Sequence, residues 1–147
     1  MANTPIIEVN DLRKSYGDFQ AVKGVSFQVF EKEIFGLLGP NGAGKTTTLE
    51  IIETLREKTS GTVTVCGLNI DNDANKIKQM IGVQLQAAGY YPSLTLLELV
   101  ELFAGLYNVH ADPMEMLRKV NLEEKAKAKF KELSGGQKQR FSIATTL

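Results

Sequence analysis

A glycine-rich run, Gly39-Pro40-Asn41-Gly42-Ala43-Gly44-Lys45-Thr46-Thr47, forces one turn on this chain and constrains the elements on both sides of it. It fits the pattern Gly-x-x-x-x-Gly-Lys-Thr. Its glycines let the backbone turn N–H groups inward as a nest for an anion. Before it, residues 34–38 (Ile-Phe-Gly-Leu-Leu) form a continuous apolar run, which predicts a strand buried on both faces. After it, residues 45–57 predict a helix. The unpaired first-turn amides of Lys45, Thr46 and Thr47 and the helix dipole add to the anion site. Strand, loop and helix in this order predict a site for the phosphates of a nucleoside triphosphate. Lys45 would reach the β- and γ-phosphates and the Thr46 hydroxyl would ligate Mg²⁺.

The flanking pattern predicts an α/β fold with strands at its N-terminal end. Residues 6–9 and 21–30 read as strands, the second with Val25, Phe27 and Val29 at period two. Glu31-Lys32-Glu33 is a polar turn. Residues 62–66 predict a further strand, in which Cys66 reads as a small buried apolar residue. Residues 73–80 predict a short helix and 81–85 another short strand. From Thr95 onward the signals are helical. Thr95 with Glu98 makes a capping box ahead of Leu99, Leu102, Phe103 and Leu106, which share one helical face. Asp112-Pro113-Met114-Glu115 is a second helix start, Asn121 with Glu124 a third, and Ser134 with Gln137 a fourth.

Charge and length exclude several classes. The 147 residues are 43% hydrophobic, enough for one domain's core. Seventeen basic residues balance seventeen acidic ones, which argues against a binder of nucleic-acid phosphates. Lys125, Lys127, Lys129 and Lys131 alternate with Ala and Phe and read as a solvated face. One cysteine allows no internal disulfide and suits a reducing cytosol. No apolar run approaches the ~20 residues that span a bilayer, and the start carries no secretory signal pattern.

The run Leu133-Ser134-Gly135-Gly136-Gln137, followed by Lys138-Gln139-Arg140, resembles the signature of ATP-binding cassette (ABC) ATPases. Read physically, Ser134 caps a helix whose first turn is two glycines, so bare N–H groups and the positive dipole end face outward. The resemblance covers nearly the whole chain. It implies a P-loop NTPase core with N-terminal strands and an inserted α-helical subdomain. The corresponding division is residues 1–86 for the ATP-binding core, 87–133 for the helical part and 134–147 for the signature helix. It implies that Tyr16 stacks on adenine with Val22 nearby, that residues 39–47 hold ATP, and that Gln86, with Gln84 as the weaker candidate, joins Thr46 at Mg²⁺. It implies that Ser134, Gly135, Gly136 and Gln137 meet ATP held by a second ABC ATPase subunit.

The wording of residues 36–49 and of Tyr91-Pro92-Ser93-Leu94-Thr95 is most similar to ATPase subunits of bacterial multidrug or lipid exporters. That implies a transmembrane permease as partner and a cytoplasmic position at the inner face of the membrane. Residues 87–97 would form the groove for a helix of that partner, or an inter-subdomain loop. The family pattern continues past the signature with the Walker B aspartate, a catalytic glutamate, the D-loop and a switch histidine. These are expected beyond Leu147, so the 147 residues are expected to bind ATP without hydrolysing it alone. The missing Walker B strand is expected to leave an apolar sheet edge beside residues 34–38, with marginal stability or aggregation. His110, the one histidine, precedes the signature and reads as a loop residue. A P-loop kinase or GTPase would leave Ser134 and Tyr16 unexplained. A soluble ABC ATPase of translation or DNA and a non-catalytic nucleotide-binding module stay open.

Overall fold

The computed structural model describes residues 4–84 and 89–146. They gather into two compact units, Met1–Ile81 and Gly82–Leu147.

The first unit is built on a four-stranded sheet of order β2-β1-β3-β4, antiparallel throughout. Strand β1 spans Ile7–Tyr16, β2 Phe19–Val29, β3 Ser60–Val65 and β4 Leu68–Asn69. Alternation sends Val63 and Val65 of β3 to one face, and a bulge between Val9 and Leu12 of β1, with Asp11 left-handed (φ 43°), brings both of these to that same core. There they meet Ile51 and Ile52 of helix α1 (Lys45–Ile52) and Ile77 of helix α2 (Ala74–Lys78).

Helix α1 stops earlier than its apolar pattern predicts. Thr54 takes the left-handed conformation (φ 59°), its N–H bonds to Ile51 O at 3.1 Å, and Leu55 N–H bonds to Glu50 O at 2.8 Å. This is a Schellman ending in which threonine holds the place usually given to glycine. The Thr54 hydroxyl is buried without a hydrogen-bond partner. Cys66 is a second correction. It is exposed and left-handed (φ 50°), followed by Gly67 at φ 77°, because Val65 pairs with Leu68 and a two-residue hairpin needs both positions at positive φ.

Residues 34–38 do not form the expected buried strand. A strand needs a hydrogen-bonded neighbour, and none of the described residues pairs with this segment. Ile34 is fully exposed and Leu38 is 91% exposed, while the Phe35 ring stacks on Phe27 at 4.9 Å. The apolar surface expected at a sheet edge is therefore that of an irregular segment. Residues 81–84 likewise lie in no strand, and position 85 is outside the described residues.

In the second unit, helices α3 (Leu96–Tyr107), α4 (Pro113–Lys119) and α5 (Gly135–Ala144) share a core of Leu96, Leu99, Leu117, Leu122, Leu133 and Phe141. Tyr90 sits among Phe103, Phe130 and Phe141 at ring separations of 5.6, 4.7 and 5.3 Å. Three expected helix starts are present: the Thr95–Glu98 box, the Asp112 cap with Pro113, and the Ser134–Gln137 box. The start expected at Asn121 is corrected. Asn121 is left-handed (φ 54°) and closes α4, with its N–H on Arg118 O and that of Leu122 on Leu117 O. The 3₁₀ turn that follows has no side-chain cap. Of the expected buried face of α3, Leu99 is buried together with Leu96 and Val100, Leu102 and Phe103 are half-buried, and Leu106 is exposed. The four lysines from Lys125 to Lys131 are exposed while Ala126 is buried, as the alternation predicts. No described helix is long and apolar enough to cross a membrane.

The Thr95–Glu98 box makes α3 acid-sensitive. Hydrogen bonds from the Thr95 N–H and hydroxyl, at 2.8 and 2.7 Å, hold the Glu98 carboxyl below its ordinary value. A lowered folded pKa gives stability that is present above the ordinary glutamate pKa and lost as pH falls through the folded one. Acid unfolding followed by far-UV circular dichroism should show Glu98→Gln losing less stability than the parent between about pH 5 and about pH 3. Equal acid sensitivity in both would show that the box carries none of it.

Candidate nucleotide-binding site

The glycine loop reaches its shape through left-handed glycines, with Gly42 and Gly44 both at φ 82°. The Ala43 N–H donates to Pro40 O at 3.2 Å, which closes the bend. Gly44 is then the N-cap of α1 and offers no side chain to its amides. The first bond of the helix runs from Thr48 N–H to Gly44 O at 2.8 Å, so the amides of Lys45, Thr46 and Thr47 precede it. Lys45 curls back over the bend, its Nζ donating to Gly39 O at 2.8 Å and to Pro40 O at 2.7 Å. Pro40, Asn41, Gly42, Ala43 and Thr46 are exposed, Thr47 is half-buried and Thr48 is buried against the sheet.

Gly44 approaches β2 so closely that a Cβ there would lie 2.3 Å from Ala21 O. Val22, next along, is 2% exposed and lies in the core at Gly44. The residues fit a triphosphate: a cap without a side chain, three uncommitted amides and an ammonium poised on loop carbonyls form one concave cationic turn.

Tyr16 stands at the end of β1 and is 44% exposed. Lys14 Nζ lies over its ring, 5.0 Å from the centroid. Arg56 Nη1 donates to the Tyr16 hydroxyl, and Arg56 Nε donates to Glu50 Oε2 at 2.7 Å. The Glu50 carboxylate thereby raises the Arg56 guanidinium above its ordinary value. Burial, and then the Glu50 charge, raise the neighbouring Glu53 carboxyl. Sequence reasoning missed Arg56 and Glu50. Their spacing of six is not a helical pair spacing, and only the Thr54 reversal brings them together.

Gln86 lies outside the described residues. Gln84 is exposed and lines a cavity in the second unit with Tyr90 and Ser142. In the same unit, Ser134 Oγ accepts from Gln137 N–H at 3.3 Å, and Gln137 Oε1 accepts from Ser134 N–H at 2.9 Å. Both side chains are thus committed to capping α5, which leaves exposed Gly135 and Gly136 as a bare first turn. His110 is an exposed residue after α3.

A glycine bend opening an uncapped helix is the backbone geometry of a phosphate-binding P-loop. The ABC transporter family model matches residues 22–147, and the chain belongs to that family. It is 37% identical over 152 residues to Nod factor export ATP-binding protein I of Ralstonia nicotianae, a match covering 100% of this chain and 47% of that protein. It is 40% identical over 147 residues to linearmycin resistance ATP-binding protein LnrL of Bacillus subtilis, covering 97% and 47%. The chain spans about half the length of the curated relatives it matches.

Among solved structures it is similar to an ATP-binding subunit of an ABC transporter, with TM-score 0.80 and 28% identity over 96% of this chain and 61% of that one. It is also similar to a dimeric ATP-binding cassette bound to ADP and Pi, with TM-score 0.78 and 31% identity over 96% and 68%.

Proposed function

We propose that the chain carries the ATP-binding residues of a bacterial export ATPase subunit, coupling ATP binding and hydrolysis to transport through a transmembrane permease partner. The observation that carries this reading is the Gly44-begun α1, with its three amides and Lys45 gathered at one turn. The relatives named above are export and resistance ATP-binding proteins, which favours an exporter over an ATPase of nucleic acid.

ATP with Mg²⁺ supplies the γ-phosphoryl group and the cation that neutralises its charge. The chain's own residues bind and orient. The amides of 45–47 and the glycines of 39–44 cradle phosphate oxygens, Lys45 leaves Gly39 O and Pro40 O for them, and the Thr46 hydroxyl and Gln86 serve the metal. Tyr16 stacks on the base, while buried Val22 supports Gly44 from beneath. Gly135 and Gly136, begun by the Ser134–Gln137 cap, offer amides to ATP held by a second ABC ATPase subunit. Residues 1–86, 87–133 and 134–147 remain the proposed functional divisions, at the cytoplasmic face of the membrane.

Calorimetric titration with ATP and Mg²⁺ tests this. Lys45→Ala should weaken binding tenfold or more, since a hydrogen-bonded charge contributes about 1.5–3 kcal/mol. Unchanged affinity would refute the site. A polypeptide of residues 1–147 alone should release no phosphate above background, because the candidate hydrolytic residues are not among them. Release that Lys45→Ala abolishes would overturn that part.

A further inference from the structure

The ring assigned to base stacking is held from the far end of the helix that begins at the phosphate loop. Tyr16 ends β1, where an isolated tyrosine would be free to turn about its side-chain bonds. Two cations engage it. Lys14 Nζ lies over the ring at 5.0 Å, and Arg56 donates to its hydroxyl with the guanidinium carbon 5.8 Å from the centroid.

Arg56 is itself fixed at three levels. Its Nε donates to Glu50 of α1 at 2.7 Å. Its backbone N–H donates to Glu50 O at 3.1 Å, continuing the ending that Thr54 imposes on α1. The segment just beyond it is tied to β1 by Thr59 N–H on Arg13 O at 2.8 Å and Ser15 N–H on Thr59 Oγ1 at 2.9 Å. A planar guanidinium anchored on one edge by a carboxylate and donating from another has little freedom left, which a lysine ammonium would retain.

We propose that Arg56, clamped by Glu50, is a positioning residue for base recognition: it fixes the Tyr16 ring as the stacking platform and couples that platform to the helix opened by Lys45. The proposal rests on the reading that Tyr16 stacks on the base of the bound nucleotide. It adds that the distance from base platform to phosphate loop is set by one element, α1, through the Glu50–Arg56–Tyr16 chain.

The test compares ATP with inorganic tripolyphosphate, which offers the same anion without a base, in the full-length protein. Tyr16→Ala should weaken ATP roughly 5- to 150-fold, the range for losing one stacked base. Arg56→Ala should weaken ATP roughly two- to fivefold, the worth of one exposed cation–ring contact. Tripolyphosphate affinity should not change in either variant. Arg56→Lys should weaken ATP as Arg56→Ala does, and adding Arg56→Ala to Tyr16→Ala should cost nothing further. Three results would overturn the proposal while leaving base stacking in place: Arg56→Ala binding ATP as the parent does, Arg56→Ala weakening tripolyphosphate equally, or Arg56→Lys restoring full affinity. Tyr16→Ala with undiminished ATP affinity would overturn the stacking reading and the proposal together.

Discussion

Gly44→Ala should weaken ATP binding roughly 100-fold or more, while Gly42→Ala costs about 30-fold at most. The two glycines share φ 82°, so alanine at either one meets the same left-handed strain, about 1–2 kcal/mol. Their surroundings differ. A Cβ at Gly42 meets nothing within 4 Å, whereas one at Gly44 falls 2.3 Å from the carbonyl oxygen of Ala21 and 3.2 Å from Val22 Cγ2. Neither neighbour can yield. Ala21 is backbone of β2 held on either side by the pairs Gln20–Ser15 and Val22–Lys14, and Val22 is core. The loop must therefore lift away, and the amides of Lys45, Thr46 and Thr47 move with it. Strain and displacement at about 1–3 kcal/mol each combine to the hundredfold loss. Titration of both variants with ATP and Mg²⁺, beside their melting temperatures, separates lost binding from lost folding. Gly44→Ala binding as well as Gly42→Ala would show that the Ala21 contact does not shape the loop.

What was legible in the residues follows the range of the forces involved. The starts at Thr95, Asp112 and Ser134 were readable because a cap is written within four residues and satisfies amides that have no other partner. The glycine loop is readable because its pattern is equally local, although its helix start leaves the first amides without a side-chain cap. Helix ends were harder. Left-handed Thr54 and Asn121 close α1 and α4 without the glycine that usually marks such a place, so the residue pattern carries α1 past its true end and makes Asn121 read as a start. Cys66-Gly67 hid a hairpin turn behind a residue that reads as apolar core. Residues 34–38 show the limit of composition. Apolar content describes what a segment would bury, but strand formation depends on a partner elsewhere in the chain. Arg56 was invisible because its meeting with Tyr16 is decided by where α1 stops.

The helical unit should be far more sensitive to one ring than to any of its caps. Phe141→Ala should destabilise that unit by about 3–5 kcal/mol, against about 1 kcal/mol for Ser134→Ala on the same helix. Phe141 is fully buried and meets Tyr90 and Phe130 edge-on at 5.3 and 5.8 Å. Tyr90 cannot slide into the space left behind, because its hydroxyl is held by Ser142 Oγ of α5 at 3.2 Å and by Thr145 Oγ1, at the C-cap of that helix, at 2.8 Å. The cavity would stay open, and loss of its dispersion contacts adds to the transfer cost. Two residues on, Ile143 is 41% exposed, and Ile143→Ala should cost under about 1.5 kcal/mol. Urea unfolding followed by tyrosine fluorescence gives both values. A domain is stable by only about 5–15 kcal/mol, so Phe141→Ala alone would remove a large share of what holds α5 and its glycine-begun first turn in place. Equal costs for Phe141→Ala and Ile143→Ala would mean that the aromatic cluster does not organise this unit, and that Ser134 is positioned by its cap alone.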